Sequence, residues 1–276
     1  MTAGLFSVGD YRLRIDTTAD GADAPAVVLV PGTEDTSADG FGEVLPHLRD
    51  VPLVCYSRPG LGDSEPAAVT TPRGVRAAAG ELHTLLEAAE IHPPWVLVGH
   101  SFGGLICEAF AAEWPDETAG LVLIDTSDAQ LYLDVGRPVV GDGEEPGTIP
   151  FDVAASVRDL ARHGAHTPER PVAVVASRPG RWLDSKTPEL WRPFTLAELD
   201  DRWQANQAAL AERLGGGLIK AQTGGHYVQR DDPELVASAI RHICQQVSLR
   251  RQHGAHDRDQ TSQPTSGQAN SSRMTS

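Results

Sequence analysis

Aromatic residues are scarce in this chain. Phe, Trp and Tyr together make up 5% of its 276 residues, so a cavity walled mainly by rings is not expected. Cysteine is scarcer still, at three residues: Cys55, Cys107 and Cys244. They are far apart and odd in number, which excludes a disulfide framework and a paired-cysteine zinc site. They read as small buried hydrophobes in a reducing compartment. Basic residues are few, 23 Lys and Arg against 38 Asp and Glu, for a formal net charge of −15. Nucleic acids and anionic membrane surfaces are held by clustered Lys and Arg, so neither is expected as a partner. The longest apolar run, Ala24 to Pro31, is far short of the roughly 20 residues that cross a bilayer. Met1 to Asp10 lacks a basic start followed by an apolar stretch, so no signal peptide is read and a cytoplasmic location is expected. No Gly-x-Gly-x-x-Gly turn follows the first buried strand, so no nicotinamide cofactor is expected. His163-Gly-Ala-His166 stands without further ligands and is not a credible metal site.

What remains suffices for one large core, since 40% of the residues are hydrophobic. Short continuous apolar runs alternate with helical patterns. Ala26–Val30, Leu53–Tyr56, Trp95–Val98, Leu121–Ile124, Val172–Ala176 and a stretch near Gly217–Ala221 read as strands. Continuous rather than alternating apolar runs mean strands covered on both faces. Leu5–Ile15 alternates instead, with Tyr11, Leu13 and Ile15 on one face, and reads as an antiparallel edge strand. Helical patterns lie at Arg73–Ile91, Phe102–Trp114, Thr195–Leu214 and Pro233–Val247. Strands interleaved with helices predict a mostly parallel sheet in a three-layer α/β domain. From Arg250 to Ser276 the chain offers almost nothing to bury, and a disordered tail is expected.

Chemistry enters at Gly99-His100-Ser101-Phe102-Gly103, a Gly-x-Ser-x-Gly pattern between an apolar strand and a helix. A serine on so sharp a turn needs small residues two positions to either side, and both are glycine. Its hydroxyl is then presented above the sheet edge. The backbone N–H of Phe102 and the helix N-terminus point into the same space, where they can stabilise a developing oxyanion.

In this context the chain resembles the α/β-hydrolase-fold serine hydrolases, esterases and lipases among them. The resemblance covers Leu5 to Val247. It rests on Val30-Pro-Gly-Thr33, Tyr56-Ser-Arg-Pro-Gly-Leu-Gly-Asp-Ser64, Gly99-His-Ser-Phe-Gly-Gly104, Leu121-Val-Leu-Ile-Asp125 and Gly225-His-Tyr227, in the family's order. It implies an eight-stranded, mostly parallel sheet flanked by helices. The hydrolase domain spans residues 1–249, with a small mobile lid at about 126–170, between the sixth and seventh strands. Ser101 is then the nucleophile, and the general base is a histidine after the last strand. His226 fits, between glycines and a helix start with Asp232 as N-cap and Pro233 at the first helical position.

For the acid, most relatives use a carboxylate a few residues after the seventh strand. Here that slot reads Ala176-Ser-Arg-Pro-Gly-Arg-Trp-Leu-Asp184, where the first carboxylate, Asp184, comes late. Asp125, at the end of the sixth strand, is the preferred alternative, and Asp128 stands third. The family's second oxyanion donor falls on the backbone N–H of Thr33, after Pro31-Gly32. Arg58-Pro-Gly-Leu-Gly-Asp-Ser64 lacks the Lys-Ser/Thr of a phosphate loop and is a structural turn in the family. Leu131, Tyr132, Leu133, Phe151 and Val157 are candidate pocket walls or lid-to-core contacts, as are Trp182 and Trp191. The implied activity is hydrolysis of a small-molecule carboxylic ester or lactone, with no cofactor and no metal. The acyl-enzyme, Ser-His-Asp scheme does not separate this from peptidase, thioesterase, carbon–carbon hydrolase or cyclase chemistry. A ligand-binding relative on the same fold is the rival outside enzymes.

Overall fold

Eight strands form one sheet in this computed structural model, which describes residues 2–18, 24–162 and 169–261, the last nine of these by their backbone only. They are β1 (Thr2–Val8), β2 (Tyr11–Thr17), β3 (Val27–Val30), β4 (Leu53–Tyr56), β5 (Trp95–His100), β6 (Thr118–Ile124), β7 (Val172–Ala176) and β8 (Gly217–Lys220). The spatial order is β1-β2-β4-β3-β5-β6-β7-β8. The β1–β2 and β2–β4 pairs are antiparallel, and the other five pairs are parallel. Every residue of β3, β4, β5 and β7 is buried, as continuous apolar runs require.

Two apolar layers cover the sheet. On one face lie α2 (Val75–Ala88) and α3 (Phe102–Glu113), with Leu82, Leu85, Leu86, Ile106 and Phe110 in the core. On the other lie α1 (Ser37–Phe41) and α8 (Pro233–Thr261), with Phe41, Val236, Ile240 and Ile243. The helix α6 (Leu196–Arg213) starts with a reciprocal cap between Thr195 and Glu198 and buries Leu199, Trp203, Gln207 and Leu210 along one stripe. Cys55 and Cys107 lie in the core, and Cys244 is half-buried. No helix among the described residues is long and apolar enough to cross a membrane.

Three features differ from the sequence reading. The N-terminal alternation is a hairpin of two strands, because Gly9 takes a φ of 60° and reverses the chain at Gly9–Asp10. The last helix passes Val247, where the reading ended it, and continues to Thr261. Residues 250–261 of the expected tail are helical backbone continuous with α8. Residues 262–276, the rest of that tail, lie outside the described residues, as does the His163–His166 stretch. The segment between β6 and β7, read only as a small lid, holds two helices and a ribbon: α4 (Ala129–Asp134), a two-residue ribbon pairing Val139–Val140 with Phe151–Asp152, and α5 (Val153–Ala161). Leu131 and Phe151 are fully buried, so these two candidate walls pack the segment onto the core. The remaining helix, α7 (Val228–Asp231), follows β8 directly before α8.

Candidate active site

The parallel strands end along one edge of the sheet, where an open α/β sheet places its ligands. Ser101 stands there between β5 and α3 with φ 52° and ψ −120°. This strained conformation costs on the order of 1–3 kcal/mol and persists only where the surroundings fix it. They do so tightly. A Cβ on Gly99 would meet the Gly103 carbonyl oxygen at 2.6 Å, and one on Gly103 would meet the Val30 oxygen at 2.2 Å. The Ser101 N–H donates to the Ile124 oxygen at 3.0 Å, tying the turn to the end of β6.

The neighbouring strand end supplies Asp125, also at positive φ, 41°. The loop after β8 supplies His226. His226 Nε2 lies 2.9 Å from Ser101 Oγ, and His226 Nδ1 lies 2.7 Å from Asp125 Oδ2. Asp125 is fully buried. Its Oδ1 accepts from the Ser177 N–H at 2.9 Å and from Trp203 Nε1 at 2.7 Å. Arg181 Nε lies 3.3 Å from Oδ2. Burial pushes the Asp125 carboxyl pKa up, but the His226 hydrogen bond, the Arg181 charge and the Ser177 N–H outweigh it and hold it at about 2. A carboxylate so placed fixes the Nδ1–H tautomer and leaves Nε2 free to accept the hydroxyl proton of Ser101.

The His226 loop is anchored twice. Asp231 Oδ2 accepts from the Gly225 N–H at 2.6 Å, and Asp232 caps α8 by accepting from the Leu235 N–H at 3.2 Å. His100 Nε2 lies 2.9 Å from the His226 carbonyl oxygen, so this nitrogen carries the proton. Burial lowers the His100 pKa to about 3, which keeps the ring neutral.

The other two candidate acids lie elsewhere. Asp184 pairs with Arg178 at the surface, its side chain 69% exposed. Asp128 caps α4 by accepting from the Leu131 N–H at 3.2 Å and pairs with Arg202 at 2.8 Å. The Pro31–Thr33 loop is brought against the serine: a Cβ on Gly32 would lie 3.2 Å from Ser101 Cβ and 2.9 Å from His100 Nδ1. Thr33 follows it, half-buried, and Phe102 opens α3.

Three neighbours of the site carried no signal in the sequence. Ser127 Oγ lies 3.0 Å from Ser101 Oγ. Trp203 comes from α6, and Arg181 sits in the slot where an acid was sought. A row of packed rings leads to the site. Ring contacts run from Phe151 to Phe102 (4.8 Å between centroids), Tyr132 (5.7 Å), Trp191 (6.0 Å), Trp182 (4.6 Å), Trp203 (5.5 Å) and His226 (5.7 Å). These rings come from α3 (Phe102), the cap (Tyr132, Phe151), the turns after β7 (Trp182, Trp191) and α6 (Trp203).

Similarity to known proteins agrees with this architecture. A curated relative, the uncharacterized protein YqjL of Bacillus subtilis, is 23% identical over 229 residues, covering 77% of this chain and 83% of its own. A thermophilic esterase from Thermogutta terrifontis superposes with a TM-score of 0.60 at 18% identity, over 90% of this chain and all of its own. Mouse alpha/beta hydrolase domain-containing protein 10 superposes with a TM-score of 0.62 at 14% identity, again over 90% and 100%. At such identities the superpositions speak for the fold alone. The sequence profile of the alpha/beta hydrolase family matches residues 27–239, from β3 into α8, and the chain belongs to that family.

Proposed function

We propose that this protein is a metal-independent serine hydrolase acting on a small-molecule carboxylic ester or lactone. The observation that carries the reading is the unbroken hydrogen-bonded chain from Ser101 Oγ through His226 to Asp125, at 2.9 and 2.7 Å. Ser101 attacks the carbonyl carbon as His226 Nε2 takes its proton. Asp125 holds the imidazole and stabilises the imidazolium. The N–H groups of Phe102 and Thr33 receive the tetrahedral oxyanion. His226 then protonates the leaving oxygen, and an acyl group stays on Ser101. Water, deprotonated by the same nitrogen, releases it.

Labelling by a fluorophosphonate probe tests this, because the probe reacts with an activated serine whatever the natural substrate. Wild type is expected to label, and Ser101→Ala and His226→Ala are not. Asp125→Asn is expected to label at least about a hundredfold more slowly, since the wrong tautomer is then favoured. Asp184→Asn is expected to label as wild type does. A folded wild type that neither labels nor turns over p-nitrophenyl acetate would put a ligand-binding role in place of this reading.

A further inference from the structure

The turn Arg58–Ser64 carries a residue whose role exceeds that of a turn. Arg58 is 1% exposed, and its ion-pair partner Asp142 is fully buried. Arg58 Nε donates to Asp142 Oδ2 and Nη2 to Asp142 Oδ1, both at 2.6 Å. The remaining donors reach the loop after β3: Nη1 to the Pro31 oxygen at 2.9 Å and Nη2 to the Gly32 oxygen at 2.5 Å. The guanidinium thus bridges the cap segment between β6 and β7 and the loop that lies against Ser101.

The geometry of the peptide unit gives this bridge a consequence. The carbonyl of Gly32 and the N–H of Thr33 belong to one planar trans unit and point in opposite directions. A donor that holds the carbonyl on one side sets the N–H on the other. This loop is in contact with the elbow: a Cβ on Gly32 would lie 3.2 Å from Ser101 Cβ, and the Pro31 oxygen lies 2.5 Å from where a Cβ on Gly103 would stand, so the orientation of its peptide units is felt at the serine. The neighbouring carbonyl of Pro31 is held the same way, so two successive peptide units are fixed by one planar fork. Asp142 is itself fixed. The strap bearing it is fastened by Gly147 O accepting from the Ala67 N–H at 3.0 Å, by Pro150 O accepting from the Arg73 N–H at 3.0 Å, and by Arg73 O accepting from the Asp152 N–H at 2.9 Å.

We infer that Arg58 is a positioning residue for the oxyanion-binding loop, and that Asp142 of the cap holds it in place. The inference rests on the serine hydrolase reading above. It makes the cap a part of the catalytic geometry rather than a cover alone: losing the Asp142 contact releases the fork, and with it the orientation of the Thr33 N–H.

The test must separate this role from stability, because a buried pair with one partner removed destabilises strongly. The double variant Arg58→Met/Asp142→Leu replaces the pair with apolar groups of similar volume, and Arg58→Lys keeps the charge without the fork. Each full-length variant is compared with wild type by thermal unfolding, by fluorophosphonate labelling and by kcat and KM on p-nitrophenyl acetate. The double variant leaves no unpaired charge but takes the donor from the Pro31 and Gly32 carbonyls, so its Tm is expected to fall while the protein stays folded at the assay temperature. Its kcat and labelling rate are expected to fall at least about tenfold, with KM changed less than about threefold, as for a donor lost only to the transition state. Arg58→Lys is expected to fall in the same direction, and it decides the matter should the double variant not fold. Wild-type kcat in either folded variant overturns the inference while leaving the serine hydrolase reading intact. A wild type without labelling or turnover overturns both.

Discussion

Arg181 lays its guanidinium against the rings of both Trp182 and Trp203, 4.3 and 4.4 Å from their centroids, with Nε 3.3 Å from Asp125 Oδ2. The stack confines the cation beside a carboxylate that has no access to water. It supplies the counter-charge that a buried, ionised aspartate needs. Trp203 serves twice, as one wall of the stack and as a hydrogen-bond donor to Oδ1. Asp125 is therefore held charged and oriented from three sides before its bond to His226 is counted.

This arrangement links stability to acidity. The Asp125 carboxyl lies at about 2 in the folded protein, below its ordinary 3.8: burial raises it, and His226, Arg181 and the Ser177 N–H lower it by more. A depressed acid contributes stability that is fully present above the ordinary value and is lost as pH falls through the folded one. The contribution is on the order of 2 kcal/mol. The difference in unfolding free energy between wild type and Asp125→Asn is expected to shrink by about that amount between pH 5 and pH 2. Urea titrations at the two pH values measure it. Arg181→Met is expected to move the loss to higher pH. A difference that stays constant across the window would mean that Asp125 contributes no charge-linked stability.

His100 acts in the same direction over a higher window. Burial lowers its pKa to about 3 from an ordinary 6.5, so the folded chain resists the proton that the unfolded chain takes up. Stability is expected to fall as pH drops below 6.5, at up to about 1.4 kcal/mol per pH unit, until the folded value is reached. His100→Gln retains a donor for the His226 carbonyl without titrating. The variant is expected to be flatter than wild type between pH 7.5 and 5.5 by about 1–2 kcal/mol in urea unfolding. Equal slopes in the two proteins would show that His100 is not buried neutral.

The fold is written in the sequence wherever a strand is covered on both faces, because Val27–Val30 or Val172–Ala176 admits no polar position. The elbow is equally legible, since only glycine meets the contacts at positions 99 and 103. The choice of acid is not. Asp125 and Asp184 both follow apolar strands, and what separates them lies far off in the chain: the Trp203 indole, 78 residues from Asp125, and an arginine in the slot where a carboxylate was sought. The ring chain around the site is invisible for another reason. A composition of 5% aromatics averages over the whole chain, whereas rings from α3, the cap, the turns after β7 and α6 meet in one row. The hairpin at Gly9 escaped because β2 alternates as any edge strand does, and a single glycine carries the reversal.

The tightness of the elbow can be tested without touching its chemistry. Gly103→Ala places a methyl group 2.2 Å from the Val30 oxygen and 2.5 Å from the Pro31 oxygen, both backbone atoms at the end of β3. Backbone cannot rotate aside as a side chain can, so β3 and α3 must separate. A loss of about 3 kcal/mol or more in unfolding free energy is expected. Gly80→Ala, at a half-buried position of α2, is the control. There a Cβ meets nothing within 4 Å, and alanine favours the helix by about 0.5–1 kcal/mol over glycine.

Ser127 offers the last test, and the proton inventory of the site sets its direction. His226 Nδ1 must donate to Asp125, which as a carboxylate only accepts. Nε2 of the neutral ring is then bare, and it can only accept, from the hydroxyl of Ser101 at 2.9 Å. Ser101 has no second proton, so in the contact of 3.0 Å between the two serine oxygens Ser127 donates and Ser101 accepts. Ser127 thereby holds Ser101 Oγ in the rotamer that faces His226. Ser127→Ala removes this hold and leaves no bulky cavity. One neutral hydrogen bond is worth about 1 kcal/mol, which corresponds to a fall of about fivefold in fluorophosphonate labelling rate. Thermal unfolding is expected to change little. Faster labelling in Ser127→Ala would reverse the assignment: Ser127 would then be the acceptor that draws the Ser101 proton away from His226 in the resting protein.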